Sequence, residues 1–324
     1  MEREPNMDIS SNATRTGVGT AHGKIILAGE HSVVYDYPAI ALPLPGAKVT
    51  VETQASSRQV DWLESLPYTG PLDKVPEELQ NLCRAIDLTH SASKLKTGPL
   101  HFRIKSSIPI GRGMGSSAAV SVALIRSLVD YMQIKISDHQ LTYIANQAEV
   151  IAHGWTSGLD TLLASTDSPV IYRKSSTPIP FQFNLNAYLI VADSGMVGQT
   201  KLAVGKVHQL REAKPEFVTN MMDAIGGFVS QAIEAIRHQD IIELGRLMTY
   251  NHYYLNQLGV SNATIDHLVN QAWMADALGA KLTGAGLGGC IIALAYNRSH
   301  AQHIERVLIA AGAQQTWLVN LNAM

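Results

Sequence analysis

Five residues of this chain carry the means for phosphate chemistry: Lys24, Ser116, Ser117, Glu149 and Asp160. One ammonium, two hydroxyls and two carboxylates suit a polyphosphate together with a hard divalent cation, which takes oxygen ligands. Two of the five lie in PIGRGMGSSAAVSVAL, residues 109–124, where Gly111, Gly113 and Gly115 alternate with other residues before two serines open an apolar run. Glycines so spaced let the backbone adopt positive φ and approach a ligand with no Cβ in the way. A helix opening at Ser116 presents unpartnered N–H groups and the positive end of its dipole to an anion. The Ser116 and Ser117 hydroxyls add donors that can also ligate a metal. The stretch lacks both the Gly-Lys-Ser/Thr ending of a P-loop and the glycine spacing of a dinucleotide fold. A glycine-lined turn capped by serine is also an ordinary tight connection, so the surrounding charged residues must decide.

Other chemistries are excluded more directly. Among twelve histidines none falls in the paired spacing of a zinc protease, and Cys83 and Cys290, the only cysteines, are far apart in sequence. His300 and His303 lie one helical turn apart and read as a surface face. No glycine-flanked nucleophilic serine of the hydrolase type occurs. A net charge of -2 and a pI near 6.6 argue against a nucleic-acid or anionic-membrane partner. The two cysteines point to a reducing, cytoplasmic setting. No apolar run approaches the roughly 18 residues of a membrane span, and the mean hydropathy is near zero. A chain of 324 residues, 46% of them hydrophobic, is long enough for about two domains.

The elements that must position the five residues can be read in order. Residues 1–16 are polar and aperiodic, a flexible leader. The next stretch, GVGTAHGKIILAGEHSVVYDYPAIALPL, holds apolar runs at 25–28 and 39–44 around a polar loop, with Lys24, Glu30, His31 and Asp36 gathered about the first run. Residues 48–53 alternate as a strand. Residues 56–70 read as an irregular polar insertion anchored by Trp62. Helical spacing runs over 76–93, strand alternation over 100–108, and a helix apolar nearly all round over 116–132, which must be buried. A second helix, from Ser137 or Asp138 to about His153, carries Glu149 on its last turns. The turn Thr156, Ser157, Gly158 precedes Asp160 and another helix. Taken alone, Glu149 reads as a surface helix acid and Asp160 as a dipole partner at a helix start. Strands at 170–172 and 188–191 flank a Ser/Thr/Pro-rich stretch, and a domain boundary falls between 185 and 186. Beyond it come the loop DSGMVGQT, helices from 201, at 241–258 and at 265–278, the block KLTGAGLGGCIIALAY as strand, glycine turn and strand, a helix from about 299, and a strand near 316–321.

Three blocks, GKIILAGEHSVVYDYPAIAL, PIGRGMGSSAA and KLTGAGLGGC, resemble in the same order the three motifs of the GHMP small-molecule kinases. The Gly-Glu-His followed by Val-Val-Tyr and Pro-Ala differs from galactokinases, which show Thr-Asp after the histidine. DSGMVGQTK and LGVSNATID add supporting matches, and the resemblance runs from about Val18 to the end. It implies a two-domain α+β fold, 17–185 and 186–324, with the active site in the interdomain cleft. The activity implied is ATP-dependent phosphorylation of mevalonate on its primary hydroxyl, with Mg²⁺, in the cytoplasm, by a monomer or homodimer. Another acceptor of the family, phosphomevalonate first, is the alternative, and a non-catalytic metabolite sensor a more distant one. A phosphorylated acceptor would need more basic residues than Lys24 and His31.

Residue by residue, the resemblance assigns Ser117 and Glu149 to the magnesium of Mg-ATP, and Pro109, Gly111, Gly113, Met114, Gly115, Ser116 and Ser117 to the nucleotide. Asp160 corresponds to the catalytic aspartate and Lys24 to its partnering lysine. Glu30, His31, Thr200, Gly284 and Ala285 fall where the family contacts the acceptor. Ionised Glu30 cannot bind mevalonate's carboxylate, so it would accept from a substrate hydroxyl or orient His31, leaving His31 as the donor. The chain departs from the family pattern at His22 for proline, Asp36 for glycine, Met114 for leucine, Trp155-Thr156 for Asn-Pro, and Leu287 for glycine.

Overall fold

The apolar run at 25–28 is the buried end of a longer strand, β1 (Thr16–Ala28), whose earlier residues alternate between exposed and buried. The structure, a computed structural model, describes residues 15–95, 97–153 and 157–324. The expected leader thus lies outside the described residues except for Arg15 and Thr16, and Thr16 already begins β1. The chain divides into two compact units and crosses between them several times: residues 1–21, 48–107 and 117–165 form one, and 22–47, 108–116 and 166–324 the other. The expected 185/186 boundary lies inside the second unit.

The first unit holds the end of β2 (Ala39–Ala55), β3 (Trp62–Glu64), β4 (Thr69–Pro71) and β5 (Leu100–Ser106), with α1 (Gln80–Ser93), α2 (Ser116–Met132), α3 (Asp138–His153) and α4 (Leu159–Ser165). The strand order is β4-β3-β5-β2. β5 is antiparallel to β2, with Val49 opposite Ser106, and parallel to β3, with Leu63 opposite Phe102. The insertion expected at 56–70 is therefore part of the sheet. Its anchor is Leu63, fully buried, whereas Trp62 is half-buried under the Arg58 guanidinium, 4.0 Å from the ring centre. Strands this short gain order from pairing with β5 rather than from their own pattern.

α2 is buried along most of its length, as its apolar sequence requires. β1 packs so closely on it that a Cβ at Gly17 or Gly19 would collide with the α2 backbone at Ser127, Tyr131 and Ala123. Arg126 on α2 donates to Thr20 O at 2.7 Å and to Ser165 O at 2.9 Å, tying β1, α2 and α4 together.

The second unit is built on an antiparallel sheet ordered β11-β8-β10-β9, from β8 (Tyr188–Asp193), β9 (Gly279–Thr283), β10 (Cys290–Ala295) and β11 (Gln315–Asn320). It also holds β6 (Val170–Tyr172) and β7 (Ile179–Pro180), with Ala39–Ala41 of β2 paired to β6. Five helices complete it: α5 (Thr200–Ala213), α6 (Pro215–Arg237), α7 (Ile241–Gln257), α8 (Ala263–Met274) and α9 (Arg298–Ala310). Their starts are locally encoded, by Pro215 in the first turn of α6 and by side-chain caps from Asp240, Asn262 and Asn297. One face of the sheet, with Ile190, Ala192, Ala280, Leu282, Ile291 and Ala293, meets Val218, Ile225, Leu255 and Ile265 of the helices in a single core.

Two expectations for this unit are corrected. The runs at 39–44 and 48–53 are one 17-residue strand, because Pro43 and Pro45 fall between the stretches paired with β6 and β5. His300 is not a surface residue: it is buried, its Nε2 contacts Ala275 O at 3.2 Å, and its ring lies 4.2 Å from that of Tyr296. His303 is exposed, as expected.

Candidate active site

In the first unit, the carboxylate of Glu149 is buried and bonded, not the surface acid its helix position suggests. Its Oε1 accepts from Ser117 Oγ at 2.8 Å, from Ser121 Oγ at 3.2 Å and from Asn81 Nδ2 at 3.4 Å. Asn81 Nδ2 also lies 3.2 Å from both serine hydroxyls. Ser117 and Ser121 stand one turn apart on α2, Glu149 projects from α3 and Asn81 from α1. Asn81 has no counterpart among the expected residues. Its signal was a polar side chain on the buried stripe Asn81, Leu82, Ala85, Ile86, Thr89 of an otherwise apolar helix face.

Asp160 is the second residue of α4 and half-buried. Its neighbours fix the mount. Gly158 has φ 78°, and its carbonyl accepts from Leu162 N at 3.1 Å and Thr161 Oγ1 at 3.0 Å. Thr161 Oγ1 also bonds Asn146 Oδ1 of α3, while Leu159 and Leu163 are buried. The departure at Trp155-Thr156 lies outside the described residues.

In the second unit the glycine loop takes the backbone that its spacing predicts: Gly111, Gly113 and Gly115 have φ of 70°, 72° and 69°. Lys24 N donates to Met114 O at 2.9 Å, joining the first block to the loop, and Met114 is buried. Gly198 N donates to Gly111 O at 2.7 Å. Arg112 pairs with Asp193 at 2.7 Å and donates to Gly195 O at 3.0 Å. Gly113 approaches Gly284, where a Cβ would stand 3.7 Å from Gly284 Cα. Pro109 precedes this loop, and Ser116 closes it as the first residue of α2.

The third block grips the first. Thr283 Oγ1 accepts from Ile26 N and donates to Ile26 O, both at 2.9 Å. The Lys281 ammonium bonds Glu30 Oε1, and both side chains are fully buried. Burial pushes the Glu30 carboxyl above its ordinary range, opposed chiefly by Lys281, then by Glu30's own backbone N–H and by Lys24. The same burial pulls the Lys281 ammonium down, opposed by Glu30. His31, at φ 61°, contacts Ala285 O through Nε2 at 2.9 Å, and burial holds its imidazole below its usual range.

These contacts occupy one ring nitrogen of His31. A carbonyl can only accept, so Nε2 carries the proton, and a neutral ring then offers only the acceptor Nδ1. The Nε2–H of His31 is given to Ala285 O, and the Glu30 carboxylate is bonded to Lys281 and not to His31. Thr200, the first residue of α5, is exposed.

The departures from the family pattern are accommodated within the second unit. Asp36 has φ 68°, the conformation glycine would supply, and its carboxylate accepts from Ser175 N and Ser175 Oγ at 2.8 Å. Aspartate tolerates this backbone better than most residues. Leu287 also sits at φ 54° but is buried in the core. His22 is buried, with Nε2 3.2 Å from Asp167. A cavity of about 810 Å³ lies elsewhere in this unit, lined by Phe228, Tyr250, His252, Tyr253, Tyr254 and Trp273 among others. None of the expected site residues lines it. Among the described residues no cluster of three His, Cys, Asp or Glu side chains could hold a metal.

Residues 80–167 match the family description GHMP kinases N terminal domain, and residues 232–314 match GHMP kinases C terminal. The chain belongs to the GHMP kinase family, and is an ATP-using kinase of two-domain α/β build. Its relatives within that family are narrower in kind. It is 32% identical to the mevalonate kinase of Pyrococcus horikoshii over 302 residues, covering 87% of this chain and 89% of that one. Among solved structures it is similar to L. major mevalonate kinase in complex with R-mevalonate, with TM-score 0.81, 28% identity, and 97% and 99% of the two chains covered. Mevalonate kinase from methicillin-resistant Staphylococcus aureus gives TM-score 0.73 at 33% identity, covering 96% of this chain and all of that one.

Proposed function

We propose that this chain transfers the γ-phosphoryl group of ATP to the primary hydroxyl of mevalonate, giving 5-phosphomevalonate for isoprenoid biosynthesis. The observation that carries the reading is near end-to-end similarity to mevalonate kinases, one of them solved with R-mevalonate. In the reaction the bond from the γ-phosphorus to the β,γ-bridging oxygen breaks, the acceptor oxygen bonds phosphorus, and ADP leaves. The transition state is loose, so positioning and charge neutralisation outweigh early deprotonation.

The roles follow from chemistry and family position. Asp160 orients the acceptor hydroxyl and takes its proton late, and Lys24 neutralises charge on the transferring group. Residues 109–117, with Pro109, Gly111, Gly113, Met114, Gly115, Ser116 and Ser117, hold the nucleotide phosphates. Glu30, His31, Thr200, Gly284 and Ala285 are assigned to the acceptor.

Ser117 and Glu149 are assigned to Mg²⁺, and what supports the assignment is their chemistry: a hydroxyl and a carboxylate oxygen, the donors a hard cation takes, held side by side as a hydrogen-bonded pair. Bound there, the ion would neutralise charge on the nucleotide oxygens. The division into 17–185 and 186–324 is supported by the two family matches, which fall on either side of it.

A phosphorylated acceptor is the second reading, and the second unit weighs against it. Lys281 is paired with Glu30 and burial pulls the His31 imidazole below its usual range, which argues against an extra phosphate beside them. A cytoplasmic setting is consistent with two unpaired cysteines, and among the described residues no helix is long and apolar enough to cross a membrane. The test is a coupled ADP-release assay over mevalonate, phosphomevalonate, galactose and homoserine. Turnover confined to mevalonate is the expected result. Preference for phosphomevalonate would install the second reading.

A further inference from the structure

Strand β9 turns alternate side chains to opposite faces, as every strand does. Ala280 and Leu282 enter the core of the second unit, while Lys281 and Thr283 both bond the first block. Thr283 takes the backbone of Ile26, and Lys281 takes the side chain of Glu30. Lys281 is fully buried, and its ammonium also donates to Leu282 O at 2.7 Å, so it is held from two sides.

The pair is asymmetric at Glu30. Oε1 is bonded to Lys281, whereas Oε2 is buried with no hydrogen-bond partner among the described residues. An unmet buried acceptor is costly, and a folded chain bears such a cost where a ligand brings the missing donor. An ionised carboxylate can accept only from a donor, so the acceptor's own carboxylate cannot fill the place, while an alcohol O–H can. A carboxyl buried to this degree without a cation would take up a proton and become a donor itself. Lys281 is therefore what makes Oε2 an acceptor and fixes where it points.

We propose that Lys281 is a positioning residue for the acceptor: by holding Glu30 Oε1 it fixes Oε2 as the acceptor of a hydrogen bond from a hydroxyl of the alcohol substrate. This rests on the proposed function, and deepens it by assigning a role to a lysine outside the expected site set.

The experiment uses the full chain and steady-state kinetics. Lys281→Met keeps the length of the side chain and removes its charge. It should raise the KM for mevalonate at least about tenfold while the KM for ATP stays within about twofold. A residue that only stabilises the fold would not separate the two constants. Glu30→Gln and the double variant Glu30→Gln/Lys281→Met make the second comparison, since neutralising both members of a buried pair is tolerated better than stranding one. If Lys281 acts through Glu30, these two variants share a mevalonate KM within about twofold. This comparison decides the matter should Lys281→Met alone fail to fold. Equal effects of Lys281→Met on both constants, or a further loss of mevalonate affinity in the double variant beyond Glu30→Gln, would overturn the proposal. Turnover of mevalonate by the unaltered chain tests the functional reading separately, and the same ratios apply to whichever alcohol the panel identifies.

Discussion

The hydroxyl of Ser117 on α2 donates to the carboxylate of Glu149 on α3 at 2.8 Å. Ser121 and Asn81 support the same oxygen, so the carboxylate is preorganised by three neutral donors. Glu149→Gln should raise the Mg²⁺ concentration needed for half-maximal rate by about tenfold or more, because a neutral amide is a poor ligand for a hard ion. A Mg²⁺ titration at saturating ATP measures this. An unchanged requirement would remove Glu149 from the metal site. Asn81→Ala should shift the same curve less and cost about 1–3 kcal/mol of stability through the buried groups it leaves unpaired.

What sequence reasoning reached, and what it missed, divides along physical lines. The helices at 116–132 and 138–153 were legible to within a residue or so, since their signals are local: serine before an apolar run, and aspartate at a first turn. The left-handed glycines of the loop were legible for the same reason. β3 and β4 were not, because three-residue strands exist only by pairing with β5. Lys281 and Asn81 escaped because their meaning lies in contacts with residues far off in sequence. In a strand buried on both faces, a lysine between alanine and leucine shows neither its burial nor its partner. Glu149 and Asp160 read as ordinary helix acids by themselves, and family resemblance singled them out.

Asp160→Asn keeps the size of the side chain and removes its charge and basicity. With charge neutralisation and orientation dominating the transfer, kcat should fall at least about 100-fold, with the KM for ATP within about twofold. Rates under saturating substrates, with ATP affinity measured separately, make the check. A variant retaining most of its rate would end the catalytic assignment of Asp160.

The glycine loop can be tested where space is available. At Gly115, with φ 69°, a valine would be strained by its backbone alone, so loss of nucleotide binding in Gly115→Val could reflect either ligand or fold. Gly113→Ala is cleaner. Its Cβ would meet Gly284 Cα at 3.7 Å, an ordinary contact, so the cost to the fold is the positive φ, about 1–2 kcal/mol. ATP affinity should fall about tenfold or more, because the new methyl and the shifted N–H groups disturb a phosphate cradle. Thermal unfolding and nucleotide titration separate the two effects. A stability loss with unchanged ATP affinity would make the loop a structural turn.

His252 gives the chain a predictable weakness to acid. It is buried on α7, accepts from Leu282 N at Nδ1 (3.3 Å), and faces Asp266 Oδ1 through Nε2 at 3.4 Å. Burial pushes its imidazole down to about 4, with nearby Lys281 adding to the effect and Asp266 opposing it. The folded form therefore binds the proton less readily than the unfolded chain, whose histidines titrate near 6.5. Above about pH 6.5 neither form holds the proton and the full stability is present. As pH falls from there toward 4, the unfolded chain gains a proton that the folded chain refuses, and stability drops. The loss from this one group amounts to about 3 kcal/mol over that window, and buried His31 adds to it in the same direction. His252→Asn keeps an acceptor for Leu282 N–H and removes the titration. Denaturant unfolding at a series of pH values should give a shallower decline for the variant than for the unaltered chain between pH 6.5 and 4. Coincident slopes would mean that the imidazole charges within the folded protein, with Asp266 as its partner, and that its burial does not govern acid stability.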